Sequence, residues 1–534
     1  MAFIENRYAV SVFIFLTIFT FFWNIWLNDV WIPNEAFYAE AAREMIENNN
    51  LLDIYYNYEP RFNKPPMTYW LVYLSFLIFG VSEFAVRLPI VLLALGSIFL
   101  TYRIGKELYS TKVGIASAAV MAFSFQFVIN SRYASPEIPL TFFFTATLYF
   151  FISGYIRKDW RFIILSYIFL GLTVLTKGYP YIIVIGGIIF LFLLIESSFN
   201  LKEFFNNLKF LRIHIGIPLV IFIGFSWYVY MYIKFGSQFL DVTLNETLRR
   251  AFHKQSKPLD IFFYIPVIIW GFLPYSLPFF YSLLSIKGNI KKLAFPISWF
   301  IVMFIIFTVA KGKIPVYLIQ SHVAISLIVG YFIVNHHPDK KLSAYIYRSL
   351  FIFTGILIFA LNIYIIYIFD LSKLHYLLAI LPTVIALRYR DVFFYPFISF
   401  LITFMIFTVS ILPIVEKYRP YDSIGIIIND NFPEKSIPLI VEDKFWHNLP
   451  FYAKRKVLRN YSIKQILEYN KNKPLLAIVS ENSLKKIKGA EILWSGYLYK
   501  KGSESRFAIL LKYILKAEKG DFSGFEKRYL IYKR

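Results

Sequence analysis

The sequence predicts an all-α polytopic membrane protein of about thirteen spans, followed by a small α/β domain outside the membrane. Three observations carry this. The 534 residues are 58% hydrophobic and 20% aromatic with mean hydropathy +0.57, and apolar runs of about twenty residues, the length that crosses a bilayer, recur along the chain. Lys and Arg gather in alternate short loops, as they do on the cytoplasmic side of membrane proteins. Residues 417–534 hold no such run and read instead as short strands alternating with helical stretches.

In order, the candidate spans are 8–28, 84–104, 113–130, 138–156, 161–176, 180–196, 213–233, 261–285, 293–309, 314–335, 345–369, 374–387 and 393–414. The first run, Tyr8 to Asn28, exceeds a signal-peptide core, and no small-residue cleavage site follows it, so it reads as a retained span. Met67 to Val81 is left out. It starts behind Pro65-Pro66, meets Gly80, and has the length of an interfacial segment.

Charge supports that choice. With it, Arg103/Lys106/Lys112, Arg157/Lys158/Arg161, Lys202/Lys209/Arg212, Lys287/Lys291/Lys292, Lys340/Lys341/Arg348 and Arg388/Arg390 share one side. That side is cytoplasmic by the positive-inside rule, which puts the N-terminus inside and the C-terminal domain outside. The outward segments are 29–83, 131–137, 177–179, 234–260, 310–313, 370–373 and the tail. The domains are therefore a transmembrane part, 1–416, and a soluble part, 417–534. In the tail, Ile437–Val441, Leu475–Val479, Glu491–Tyr499 and Phe507–Leu511 read as strands, and Ser462 as a helix cap. The net charge of +23 is that of basic loops and tail and points to no nucleic acid; with no cysteine, disulfides and thiol chemistry are excluded.

Polar side chains concentrate in the outward segments. Asn34-Glu35 opens a helical pattern, AFYAEAAREMIEN, with Asn34 suited to cap it and Glu40 and Glu44 on one face. Arg61 and Lys64 follow. Ser131 to Glu137 places Arg132 and Glu137 around a tight turn at the membrane edge, where ionisable groups are costly and tend to be paired or functional. Lys177-Gly178 and Lys311-Gly312-Lys313 set a flexible cation beside a glycine, which allows close approach to a phosphate, although each alone also reads as a snorkelling anchor. His253 sits among charged residues with no second His or Cys at ligand spacing, so a divalent metal is left open. His322, within a span beside Gln320 and Ser321, reads as a buried hydrogen-bonded histidine. No P-loop, dinucleotide fingerprint, zinc-protease motif or nucleophile elbow occurs.

Taken together, NEAFYAEAAREM, FNKPPMTYW, SEFAVRLP, SRYASPEIPLTFF, LTKGYP and KGKIPVYLI, in that order, resemble the motif blocks of the glycosyltransferase C superfamily. The resemblance is nearest to the lipid A aminoarabinose transferases and the protein O-mannosyltransferases. It implies about thirteen spans, a sugar donor carried on a polyprenyl phosphate, and inverting transfer at the outer face of the cytoplasmic membrane to lipid A, another glycolipid or a protein. It implies Glu35 and Glu137 as candidate catalytic carboxylates with Asn34 as a positioner. Lys64, Lys177, Arg132 and Lys313 would hold the donor phosphate; Tyr38, Arg61 and Tyr317 would position sugar or acceptor. Three positions depart: Asn34 and Glu137 where the family has Asp, and Phe37 where the aminoarabinose branch has an Arg. A protein O-glycosyltransferase remains the alternative within the class. A transporter or flippase is the alternative outside it, and it is disfavoured because the ionisable residues collect at span ends rather than mid-span.

Overall fold

Apolar runs become helices because a backbone in lipid must satisfy its own hydrogen bonds. The computed structural model describes residues 6–248, 258–284, 286–335, 341–389 and 395–534. Helices occupy each of the thirteen expected spans. Those used below are α1 (Arg7–Phe22), α2 (Asn34–Glu47), α3 (Met67–Phe79), α4 (Glu83–Leu108), α5 (Glu137–Arg157), α6 (Trp160–Lys177), α7 (Pro180–Glu196), α8 (Ile213–Leu248), α9 (Ala294–Val309) and α10 (Ser321–Asn335). Among the described residues six helices are long and apolar enough to cross a membrane unaided, α4, α5, α6 and α8 included. Others are short or broken. The run 261–285 divides into Tyr264–Gly271 and Ser276–Leu284, because Pro274 between them has no N–H to continue the ladder.

Local chemistry sets the boundaries. Asn6 accepts from the backbone of Tyr8 and Ala9 at the start of α1, and Ser82 from Ala85 at the start of α4. Asp159 caps α6, which stops at Gly178 (φ +113), and Pro180 sits at the first position of α7. Helix α2 departs from expectation: Pro33, not Asn34, occupies its cap position, and no side chain caps it. Helix α3 begins after the proline pair and ends at Gly80. At about 1.5 Å per residue its length falls short of the hydrocarbon core.

In the segment 234–260 the described residues, 234–248 and 258–260, are helical rather than loop. Helix α8 runs to Leu248 with a reversal at Gly236 (φ 58, ψ −137), so its last turns fold back as an arm over one end of the bundle. Phe239 on that arm is buried against Phe62, Trp227 and Tyr228.

In the C-terminal part, β3 (Leu439–Glu442), β4 (Val457–Tyr461), β5 (Leu475–Ser480), β6 (Glu491–Tyr499) and β7 (Phe525–Lys533) form one sheet in the order β4-β3-β5-β7-β6. The pairs β3–β4 and β3–β5 are parallel; β5–β7 and β7–β6 are antiparallel. Ser462 caps the following helix in a capping box with Gln465. The expected strand at Phe507–Leu511 is instead part of the helix Phe507–Glu518, whose buried residues Leu510, Ile514 and Ala517 follow a helical spacing. The strands β4 and β7 were not anticipated.

The first outward segment is clamped to this sheet. Its hairpin, β1 (Tyr55–Tyr56) and β2 (Glu59–Pro60), turns through Asn57 (φ 58) and Tyr58 (φ 60), the conformation two-residue hairpins prefer. The side-chain amide of Asn57 then holds the backbone of Val457, Nδ2 donating to its carbonyl at 2.9 Å and Oδ1 accepting from its N–H at 2.7 Å. At the base, Arg419 forks onto Glu504 (2.7 and 3.0 Å), reaches Glu416 (2.6 Å), and stacks 3.9 Å over Trp31.

Candidate active site

Two helix starts and two helix ends bring the outward segments together at one end of the bundle. Glu35, in the first turn of α2, is fully buried and its carboxylate is saturated. Arg87 of α4 forks onto it at 2.8 and 2.7 Å, and the N–H groups of Trp31 and Ala134 donate to it at 2.9 Å each. The remaining guanidinium N–H groups of Arg87 reach the carbonyls of Ile25 (2.7 Å), Asn28 (2.9 Å) and Asp29 (3.2 Å). This knot ties the first and second outward segments to α4. Four donors on one carboxylate leave no position for proton transfer, so the geometry gives Glu35 a tethering place rather than the catalytic one its sequence context suggests.

Further along α2, Arg43 forks onto Glu40 (2.7 and 2.8 Å) and reaches Glu47 (2.7 Å). Glu44 accepts the N–H of Tyr58 at 3.1 Å. Burial, reinforced by the Glu40 charge, pushes the Glu44 carboxyl up to about 9, so it is protonated near neutrality.

Beside the knot lies a cavity of about 260 Å³ lined by Lys64, Lys177, Tyr317, Trp227, Tyr228 and Glu246 among others. Its cations are paired. Lys64 lies 2.7 Å from Glu246 on the α8 arm, and Lys177 at the end of α6 is ion-paired with Glu137 at the start of α5. Lys177 also sits 5.2 Å from the centre of the Tyr317 ring. Gly178 gives room here: a β-carbon in its place would lie 3.3 Å from the Tyr228 hydroxyl, at a φ that side chains rarely adopt. Tyr181, Ile183, Val184, Ile306 and Phe307, from α7 and α9, make an apolar wall, and Ile183 is 71% exposed outside the bundle.

Tyr38 is buried against Tyr69, ring centres 4.6 Å apart, within electrostatic reach of Arg61, Glu137 and Glu246. Arg61 stacks 3.8 Å over Phe37 and donates from Nε to the Tyr69 hydroxyl at 3.1 Å.

The expected residues thus divide. Lys64, Lys177 and Tyr317 line the cavity, Glu137 is joined to it through its ion pair with Lys177, and Tyr38 and Arg61 lie nearby. Asn34 is exposed at the head of α2. Arg132 does not pair with Glu137: it donates to the carbonyls of Thr20 and Trp23, stacks over Phe404 and closes the end of α1. Lys313 does not line the cavity: it turns back onto the carbonyl of Ala310, a lining residue, at 2.7 Å. His253 lies outside the described residues; among those described, no three His, Cys, Asp or Glu side chains gather as a metal site. His322 is buried with Nδ1 3.0 Å from the Ser124 hydroxyl. Sequence reasoning did not single out Arg87 or Glu246. An Arg inside the opening of an apolar span was the available signal for the first; the second was one of several charges in its segment, and only the reversal at Gly236 brings it inward.

Residues 63–228 match the family model described as dolichyl-phosphate-mannose-protein mannosyltransferase. An uncharacterised protein of Aquifex aeolicus (strain VF5) is 34% identical over 82% of this chain and 85% of its own length. The undecaprenyl phosphate-alpha-4-amino-4-deoxy-L-arabinose arabinosyl transferase 1 of Proteus mirabilis (strain HI4320) is 28% identical over 63% of this chain, and the match spans 62% of that relative. The crystal structure of ArnT from Cupriavidus metallidurans bound to undecaprenyl phosphate superposes with a TM-score of 0.77 at 18% identity, over 91% of this chain and 96% of that one, a likeness of fold. Fold, ordered motifs and relatives agree that this chain is a multi-pass membrane glycosyltransferase belonging to the glycosyltransferase C superfamily.

Proposed function

We propose that this enzyme moves a sugar from a polyprenyl-phosphate donor to lipid A or another envelope glycolipid at the outer face of the cytoplasmic membrane, its N-terminus inside and its C-terminal domain outside. The observation that carries the reading is the cavity, where Lys64 and Lys177 face one space whose other wall is apolar and opens beside Ile183. That combination suits a phosphate at the end of a hydrocarbon chain. The donor in the name of the Proteus mirabilis relative and the ligand in the Cupriavidus metallidurans structure are of the same chemistry.

In this reading Lys64 and Lys177 take the donor phosphate, and their charges stabilise it as it leaves with the electron pair of the anomeric C–O bond. The acceptor oxygen attacks the opposite face of the anomeric carbon, and the sugar inverts. Each lysine holds a carboxylate until the donor arrives. A phosphate on Lys177 releases Glu137, which then stands ready to take the proton of a hydroxyl acceptor. A phosphate acceptor brings no proton and needs no base. Asn34 can only donate or accept a hydrogen bond, so it positions; Tyr38 and Tyr317 supply ring faces for the sugar. Glu35 and Arg132 act through the backbone they hold.

A protein hydroxyl as acceptor is the second reading, favoured by the mannosyltransferase family model over 63–228. Purified protein supplied with undecaprenyl-phosphate aminoarabinose and either lipid A or a Ser/Thr peptide decides between them by mass spectrometry. Sugar on lipid A supports the first reading. Sugar on the peptide alone replaces it with the second, and transfer to neither removes both.

A further inference from the structure

Among the described residues most inner cations on this face are matched by carboxylates, Arg43 by Glu40 and Glu47, Lys64 by Glu246, Arg87 by Glu35, Lys177 by Glu137, Arg419 by Glu416 and Glu504, while Arg132 and Lys313 are bonded to backbone carbonyls. Arg61 differs. Its guanidinium lies between the Phe37 ring and the Tyr69 hydroxyl. Among the described residues no carboxylate lies within ion-pair distance of it, and its terminal nitrogens make no hydrogen bond. The guanidinium is partly exposed, so its terminal N–H groups can be reached by an anion from outside the chain.

A second cation faces the same place from the C-terminal part. The charges of Arg61 and Arg459 both act on Tyr56 and His447. Arg459 lies 5.6 Å from the centre of the Phe445 ring, and its one carboxylate, Glu59, is exposed and 3.7 Å away, an easily exchanged partner. His447 packs edge-on to Phe37 (5.0 Å) and Phe445 (4.8 Å), and its Nδ1 lies 3.2 Å from the Tyr56 hydroxyl. Burial and the two arginines hold its imidazole down to about 4, so it contributes a neutral ring at working pH. Guanidinium, aromatic faces and a neutral imidazole make an anion receptor with stacking surfaces for a sugar ring.

We propose that Arg61, flanked by Arg459, receives an anionic group of the acceptor, a phosphate or a carboxylate, so that the enzyme selects a charged glycolipid headgroup over a neutral hydroxyl. This rests on the assignment of Lys64 and Lys177 to the donor phosphate. Lys64 is three positions on from Arg61, so their α-carbons are at most about 11 Å apart. Two phosphates in line across one sugar ring fit such a spacing. The receptor would be composite: the first outward segment supplies Arg61, and the C-terminal part supplies Arg459 and His447.

The test is equilibrium binding to full-length protein in nanodiscs, for the wild type, Arg61→Ala, Arg61→Gln and Arg61→Lys. The probes are undecaprenyl phosphate, lipid A, and lipid A stripped of its phosphates. Arg61→Ala and Arg61→Gln should weaken lipid A binding by about ten- to a hundred-fold, as loss of a charged hydrogen bond does. They should leave undecaprenyl phosphate and the stripped lipid unchanged, and Arg61→Lys should recover part of the loss. Lipid A affinity within about two-fold of wild type in Arg61→Ala overturns the proposal. So does an equal loss for the stripped lipid, which marks a structural role. A loss confined to undecaprenyl phosphate also overturns it and assigns Arg61 to the donor. Wild type that binds undecaprenyl phosphate but not lipid A sinks this proposal alone; wild type that binds neither sinks the donor reading as well.

Discussion

Two ion pairs stand at the starts of two helices, and they do opposite things. Glu35–Arg87, at the head of α2, is wholly buried, and every oxygen and most N–H groups are bonded within the chain. Glu137–Lys177, at the head of α5, has the same kind of charges with Lys177 at a cavity wall, and among the described residues the Glu137 carboxylate accepts from Lys177 alone. A saturated pair can only hold the chain in place. A pair with one bond beside open space can trade its partner for a ligand. Residue type does not separate a tether from a reactive group; the number of remaining bonds does.

Breaking the saturated pair should have the largest effect. Glu35→Ala or Arg87→Ala strands a buried charge and should cost about 3–5 kcal/mol of stability, read by thermal unfolding in detergent. Arg87→Lys should recover little, because an ammonium cannot fork. The exchangeable pair should respond in activity. Lys177→Ala should lower transfer by about 10²–10³ with a far smaller loss of stability. Glu137→Gln should lower turnover on a hydroxyl acceptor more than it weakens donor binding. A Lys177→Ala enzyme that transfers normally would erase the contrast.

Smaller effects sharpen it. Glu246 competes with a donor phosphate for Lys64, so Glu246→Gln should tighten undecaprenyl phosphate binding by about two- to five-fold. Glu44 offers a test of sign. Its carboxyl is raised from 4.5 to about 9, so the folded state keeps a proton that the unfolded chain gives up. Stability from that group therefore falls as pH climbs from about 4.5 towards 9. Glu44→Gln should match the wild type below about pH 4.5, exceed it in stability at pH 7, and show a flatter decline as pH rises towards 9.

Much of the helical architecture was legible because lipid imposes a simple rule: apolar runs of sufficient length must be helices, and Gly, Pro and Asn punctuate them. The gathering of Lys64, Lys177, Glu137 and Tyr317 could be expected from segments assigned to one side. What was hidden depended on contacts between distant segments. Nothing local distinguishes Glu35 from Glu137; the difference is Arg87, fifty-two positions away. Arg132 sits beside Glu137 in sequence, yet the carbonyls at the end of α1 take its guanidinium. Glu246 enters the cavity only because the backbone reverses at Gly236. Phe507–Leu511 misled because a five-residue apolar run is too short to show its period.

The most direct measurement is the affinity of undecaprenyl phosphate for the purified chain and for Lys64→Ala and Lys177→Ala. The account predicts binding by the wild type and a loss of about ten-fold or more in each variant, with folding retained. Equal affinity in all three would contradict the placement of the donor phosphate, and with it the function proposed for this cavity.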